Sequence, residues 1–127
     1  MASTIGLGID IVSVKAVQDS IDSEPSYVAR VFTAIESSYA QSCADPYQIL
    51  AGRLAAKEAT MKALGTGWTD EVDWKDIEIT NHPDGRPELH VLGGSKSRLD
   101  ELGATSVWIS ISHTPQYACA VVLLEKN

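Results

Sequence analysis

The stretch from Asp45-Pro46 to Gly65 sets the terms on which this chain can fold. Asp at an N-cap followed by Pro at the first helical position is a helix start, because the amide that Pro lacks has no intrahelical partner there. Gly65 is placed to end the helix in a left-handed conformation, which predicts a helix over 46–64. At about 100° per residue, Ile49, Leu50, Leu54, Met61 and Leu64 form one apolar stripe. Ala55, Ala56, Ala59 and Ala63 form a second stripe of small residues that permits close approach. Such a helix must be covered on two sides. Arg53 and Lys57 nevertheless fall in or beside the larger stripe, and Glu58 and Lys62 stand four apart on a further face. A purely structural helix would carry no charge at these positions.

The flanking segments supply the cover. Apolar residues at positions 5, 7, 9 and 11 give the two-residue period of a half-buried strand, with Asp10 on its polar side. Helices are predicted over 14–23 and 26–32, and Thr33-x-x-Glu36 is a capping box that starts another over 34–42. After a Gly65-Thr66-Gly67 turn, segments 74–80 and 88–92 read as a hairpin closed at Asp84-Gly85. A short helix over 94–102 is ended by Gly103, and strands follow over 106–112 and 117–124. The sum is one α+β domain over 1–127, a mixed or antiparallel sheet packed on a long central helix.

At 127 residues the chain can bury one core, and 44% hydrophobic residues are enough to do so. Its formal charge of −7 argues against a protein that grips nucleic acid or an anionic membrane through a basic face. The apolar run 118–124 is far shorter than the roughly 20 residues a bilayer crossing needs, and the first residues lack signal-peptide character. A cytoplasmic protein is expected. Cys43 and Cys119 show no metal-ligand spacing and are read as buried or half-buried thiols.

Gly6-x-Gly8 invites a dinucleotide-loop reading, but Ile11 stands where the third glycine belongs and no helix follows directly. Close backbone packing explains the two glycines better. Asp10 in an apolar strand and Glu58 on a buried helix are the carboxylates that folding explains least, since burying an unpartnered ion is costly. Backbone amides satisfying Asp10 and a Glu58–Lys62 pair one turn apart would be a structural account. Two hard oxygen ligands beside Lys and Arg also describe a site for Mg²⁺ and polyphosphate. His113 stands at a strand end, where it serves either the fold or a phosphate. His82 and His90 are read as solvated or locally bonded.

In this order, five segments resemble the holo-acyl-carrier-protein synthases, the small single-domain 4′-phosphopantetheinyl transferases. They are Gly6-Leu7-Gly8-Ile9-Asp10-Ile11-Val12; Phe32-Thr33-x-x-Glu36; Arg53-Leu54-Ala55-Ala56-Lys57-Glu58-Ala59-x-x-Lys62-Ala63-Leu64-Gly65-Thr66-Gly67; Gly85-Arg86-Pro87; and Ser110-Ile111-Ser112-His113-Thr114. The resemblance implies transfer of the phosphopantetheine arm of coenzyme A to a serine of an acyl carrier protein or carrier domain, releasing adenosine 3′,5′-bisphosphate. It further implies that Asp10 and Glu58 hold Mg²⁺, or Mn²⁺ in its place. Glu58, directly or through a metal-bound water, would help deprotonate the serine, and Lys62 would neutralise the pyrophosphate and protonate the leaving phosphate. Arg53, Gly65, Arg86, Pro87, His113 and Thr114 match positions that bind the coenzyme. A homotrimer with interface active sites is implied as well, and a role in fatty-acid synthesis. The chain departs from the pattern at Ala16, where an arginine is common in members that modify a free acidic carrier. That departure points to a less acidic carrier domain, as inside a type I fatty-acid synthase, or to docking by another surface. A metal-dependent hydrolase of coenzyme A or a related nucleotide and a non-catalytic carrier-docking module are the competing readings.

Overall fold

The computed structural model describes residues 1–66 and 73–127, so Gly67 of the Gly-Thr-Gly turn lies outside the described residues. In chain order the elements are β1 (Ser3–Ser13), α1 (Val14–Ser23), α2 (Tyr27–Val31), α3 (Ala34–Gln41) and α4 (Pro46–Leu64). A 3₁₀ turn (Trp74–Asp76) then leads to β2 (Ile77–Asn81), β3 (Pro87–Val91), α5 (Gly93–Leu102), β4 (Ser106–His113) and β5 (Tyr117–Lys126). The helix ends follow from local chemistry. Ser13 Oγ accepts from the Ala16 amide, Thr33 and Glu36 close both bonds of their capping box, and Asp45 accepts from the Gln48 amide. Gly65 and Gly103 end α4 and α5 at φ of +75° and +77°. Trp74 belongs to the 3₁₀ turn, capped by Asp73, and the expected strand begins three residues later.

All described strand pairings are antiparallel: a three-stranded sheet in the order β1-β5-β4, and the hairpin β2-β3. One face of α4 packs on the inner face of the larger sheet, with Ala59 and Ala63 against β1, and Ala55, Ala59, Met61 and Leu64 belong to one core with Ala120, Val122 and Leu124. Its other side meets Val17, Val31, Phe32 and Ala40 through Leu50 and Ala51. Helix α4 is thus covered on two sides, as its double stripe requires.

The structure reverses the expected sides of β1. Leu7, Ile9 and Ile11 point outward, 61%, 65% and 68% exposed, while Gly6, Gly8 and Asp10 face α4. A register shift between Thr4 and Gly6 turns Ile5 alone back toward the core. The cause is steric. A Cβ on Gly8 would stand 1.9 Å from the Ala59 carbonyl oxygen, and one on Gly6 2.4 Å from that of Ala63. Only glycines let strand backbone lie directly on helix backbone, so the glycine side of the strand is the buried one.

Candidate active site

This backbone contact is what brings Asp10 to α4. Lys62 Nζ donates to Asp10 Oδ1 at 2.9 Å and to the Ile9 carbonyl oxygen at 2.9 Å. The second carboxylate oxygen of Asp10 is buried and accepts from no N–H group among the described residues. Glu58 lies against it. The Glu58 carboxyl is pushed up to about 8, first by burial, then by its hydrogen bond to Asp10 and the Asp10 charge, with Lys62 opposing. Lys62 is itself raised by its hydrogen bond to Asp10, so it stays an ammonium. Lys62 pairs with Asp10 rather than with Glu58 one turn away, which removes the purely local account of Glu58.

Two neighbouring carboxyl groups, one with a buried oxygen that accepts from no N–H and one held toward its neutral form by burial and by the other, are an arrangement that a cation would stabilise. Mg²⁺ takes one or two protein carboxylates and completes its shell with water and phosphate oxygens, so the donor set fits. Among the described residues no group of three or more His, Cys, Asp or Glu forms a metal cluster. Gly65 caps α4 three residues beyond Lys62.

The remaining site candidates gather elsewhere. Arg53, 5% exposed, lies against the Tyr39 ring with its guanidinium carbon 5.0 Å from the centroid, and donates from Nη2 to Asn81 Oδ1. Its Nε is buried with no partner among the described residues, and burial pushes its pKa down against the opposing pull of Glu36. Arg53, His113, Gly85 and Pro87 line one cleft of about 180 Å³, together with Gln48 and Asn81. Arg86, between Gly85 and Pro87, lines a neighbouring cleft, and its backbone amide at 3.0 Å and then its Nε at 2.8 Å donate to Asp84 and hold that carboxyl below the usual range. Thr114 is engaged in the β4–β5 turn, where its hydroxyl accepts from the Gln116 and Tyr117 amides. Its carbonyl accepts from Gln48 Nε2 at 2.8 Å, tying the turn to the cleft wall.

The candidates therefore form two half-sites. Asp10, Glu58 and Lys62 sit at edge strand β1, and Arg53, His113 and Pro87 at the opposite edge, beside β4 and the hairpin. Two strand spacings, about 10 Å, separate the edges. The clefts lined by Arg53, His113 or Arg86 include none of Asp10, Glu58 and Lys62.

Lys57 belongs to neither. It is fully buried, pairs with the equally buried Glu36 at 2.7 Å, and donates to the carbonyl oxygens of Trp74 and Ile77. Glu36 in turn accepts from the Ile79 amide at 3.0 Å, so one ion pair ties α3, α4 and β2 together. Glu36 reads from sequence as a capping residue, which it is. Its second partner, across the fold, left no local signal, and neither did the placing of Tyr39, Gln48 and Asn81 around Arg53.

A carboxylate pair delivered to one face of a helix by a glycine strand, on an α+β frame of this topology, defines a class. The model of the 4′-phosphopantetheinyl transferase superfamily matches residues 6–122, and the chain belongs to that family. A holo-[acyl-carrier-protein] synthase of Koribacter versatilis is 42% identical over 122 residues, spanning 95% of this chain and 98% of the relative. One of Moorella thermoacetica is 42% identical over 120 residues, spanning 94% and 93%. The solved holo-(acyl-carrier-protein) synthase of Bacillus anthracis, in complex with CoA (3′,5′-ADP), superposes with a TM-score of 0.81 at 33% identity, covering 98% of each chain.

Proposed function

We propose that this chain is a holo-[acyl-carrier-protein] synthase that moves the 4′-phosphopantetheine arm of coenzyme A to a serine hydroxyl of a carrier. The pairing of Asp10 on β1 with Lys62 on α4, one helical turn beyond Glu58, is the observation that carries this reading. The relatives of the same name at 42% identity over nearly the whole chain support it. The serine oxygen forms a bond to the β-phosphorus of the coenzyme pyrophosphate, and the bond from that phosphorus to the bridging oxygen breaks. Adenosine 3′,5′-bisphosphate leaves with the negative charge.

Asp10 and Glu58 would hold Mg²⁺, or Mn²⁺; when bound, the ion supplies charge neutralisation to the pyrophosphate. The chain's own groups do the rest. Glu58, beside Asp10 on the face of α4 that carries Lys62, is placed to help take the serine proton, directly or through water. Lys62 remains protonated and offsets charge on the leaving phosphate. Arg53 and His113, with the Gly85-Arg86-Pro87 turn, would take the nucleotide end. Neither cysteine is needed. Incubation with coenzyme A, Mg²⁺ and a panel of apo carriers, read by intact mass, tests the reading: a carrier gaining the pantetheine arm supports it. Consumption of coenzyme A with no change in any carrier would indicate hydrolysis and refute it.

The two half-sites and the apolar outer face of the sheet support assembly with further copies of this chain. Leu7, Ile9, Ile11 and Val121 are exposed on that face, and Leu7 and Trp108 both stand in register with Leu123. A cyclic, head-to-tail arrangement would set the β1 half-site of one copy against the Arg53 half-site of the next, and a trimer is the proposed closure. Mixing Asp10→Ala chains with Arg53→Ala chains then rebuilds intact sites at about a quarter of all positions. Subunit exchange without any return of activity would rule this arrangement out.

The acceptor follows from α1. Lys15 is paired with Asp19 at 2.5 Å, and Asp22 lies on the same helix, so α1 offers no free cation around Ala16. A less acidic carrier domain, as in a type I fatty-acid synthase, is the proposed partner, in a cytoplasmic enzyme that activates fatty-acid synthesis. Faster modification of an isolated acidic carrier than of an excised synthase domain would count against it.

A further inference from the structure

We propose that Asn81 is a positioning residue that holds the Arg53 guanidinium and the turn before Pro87 as one unit for the nucleotide end of coenzyme A. The inference rests on the transferase reading above. Asn81 ends β2 and uses both ends of its amide: Oδ1 accepts from Arg53 Nη2, and Nδ2 donates to the Gly85 carbonyl oxygen at 2.9 Å. The turn it grips is already closed by His82 N–H to Arg86 O at 2.8 Å and by Gly85 N–H to His82 O at 2.9 Å. It also carries Gly85 at φ +95°, so its shape is defined without Asn81. What Asn81 adds is the link from that turn to a side chain on α4.

The choice of a neutral acceptor matters. A guanidinium has five N–H donors, and Asn81 occupies one of them while cancelling none of the charge. The opposite face of Arg53 lies on the Tyr39 ring, and Arg53 forms no ion pair among the described residues. Its buried Nε, with no partner among the described residues, and its place in the wall of two clefts leave an oriented positive charge for an anion to meet. An aspartate at 81 would keep the acceptor toward Arg53 but would turn a second carboxylate oxygen, in place of a donor, toward the Gly85 carbonyl. It would also pair with Arg53, and the cation would be lost to the ligand.

This separates stability from affinity, which a merely structural residue would not do. In Asn81→Asp the new ion pair offsets the lost bond to Gly85, so its melting temperature stays above that of Asn81→Ala, in which both bonds are lost. The affinity for coenzyme A, by calorimetry, falls on the order of tenfold to a hundredfold and depends less on salt. Asn81→Ala keeps the charge but loses both bonds, and weakens coenzyme A by less than Asn81→Asp does. In steady state the KM for coenzyme A rises more than kcat falls, and the KM for the carrier is unmoved. The inference is overturned if Asn81→Asp binds coenzyme A as tightly as the unaltered protein, or if affinity simply follows melting temperature, with Asn81→Ala the weaker binder of the two variants. Failure of the unaltered protein to bind coenzyme A at all would instead overturn the transferase reading on which this one stands.

Discussion

Replacing Gly8 by alanine puts the origin of the carboxylate pair to the test. The added methyl would lie 1.9 Å from the Ala59 carbonyl oxygen and 2.8 Å from the Ala63 amide nitrogen, both backbone atoms that no rotamer change can move away. Van der Waals contact for such a pair is about 3.5 Å, so β1 and α4 must separate by about 1.5 Å. Asp10 stands two residues after Gly8, and Glu58 immediately before Ala59, so the separation falls on the site. Overpacking of this kind costs about 1–3 kcal/mol, which a domain of this size survives. Chemistry is less tolerant: a displacement of order 1 Å in a catalytic constellation costs about a hundredfold. Carrier modification followed by intact mass, at a temperature below the melting transition of both proteins, should show about that loss in kcat, with weakened Mg²⁺ dependence. Gly6→Ala meets a similar clash at 2.4 Å but four residues from Asp10, and should lose less. A folded Gly8→Ala protein with unaltered kcat and unaltered Mg²⁺ response would refute the claim that this backbone contact builds the site.

Because the Glu58 carboxyl is raised from 4.5 to about 8, the metal-free native state keeps a proton that the unfolded chain releases across that window. Its contribution to stability is complete below about pH 4.5 and is lost as pH rises through 8. The metal-free melting temperature of the unaltered protein should therefore fall relative to Glu58→Gln between those limits, and parallel curves would contradict the shift. Glu36→Gln strands the fully buried Lys57 and should cost about 3–5 kcal/mol in urea unfolding, with Glu36→Gln/Lys57→Met recovering part of the loss. Strict additivity of the two single changes would show that they do not act as a pair. Arg53→Ala should raise the KM for coenzyme A by about tenfold or more, and an unchanged value would remove Arg53 from the site.

What could be read in advance was whatever the chain encodes within a few residues. The start of α4 at Asp45-Pro46, its end at Gly65, the Thr33–Glu36 box and the turn at Gly85 are each decided by neighbours in sequence, and each falls where expected. The β2–β3 hairpin followed for the same reason, except that Trp74–Asp76 winds into a 3₁₀ turn where Asp73 supplies a cap. Contacts across the fold left weaker traces. Charge on the buried faces of α4 marked Arg53 and Lys57 as anomalous, but sequence could not tell the two apart. Lys57 finds a carboxylate from α3, whereas among the described residues Arg53 finds an aromatic face and a neutral amide and no carboxylate partner.

The reversed sides of β1 show why alternation alone misplaces a strand. A two-residue period reports that one side is apolar, not what that side meets, and positions 7, 9 and 11 are as apolar as any core strand. The glycines carried the missing information: residues without Cβ at positions 6 and 8 have no use on a solvent face, but they are what direct helix contact demands. Had the apolar side faced α4, Asp10 would have pointed away from Glu58 and Lys62, and the carboxylate pair would not exist. The same choice of side thus builds the site and leaves Leu7, Ile9 and Ile11 in need of cover. That is the physical reason to expect catalysis and self-association to fail together in variants that disturb β1.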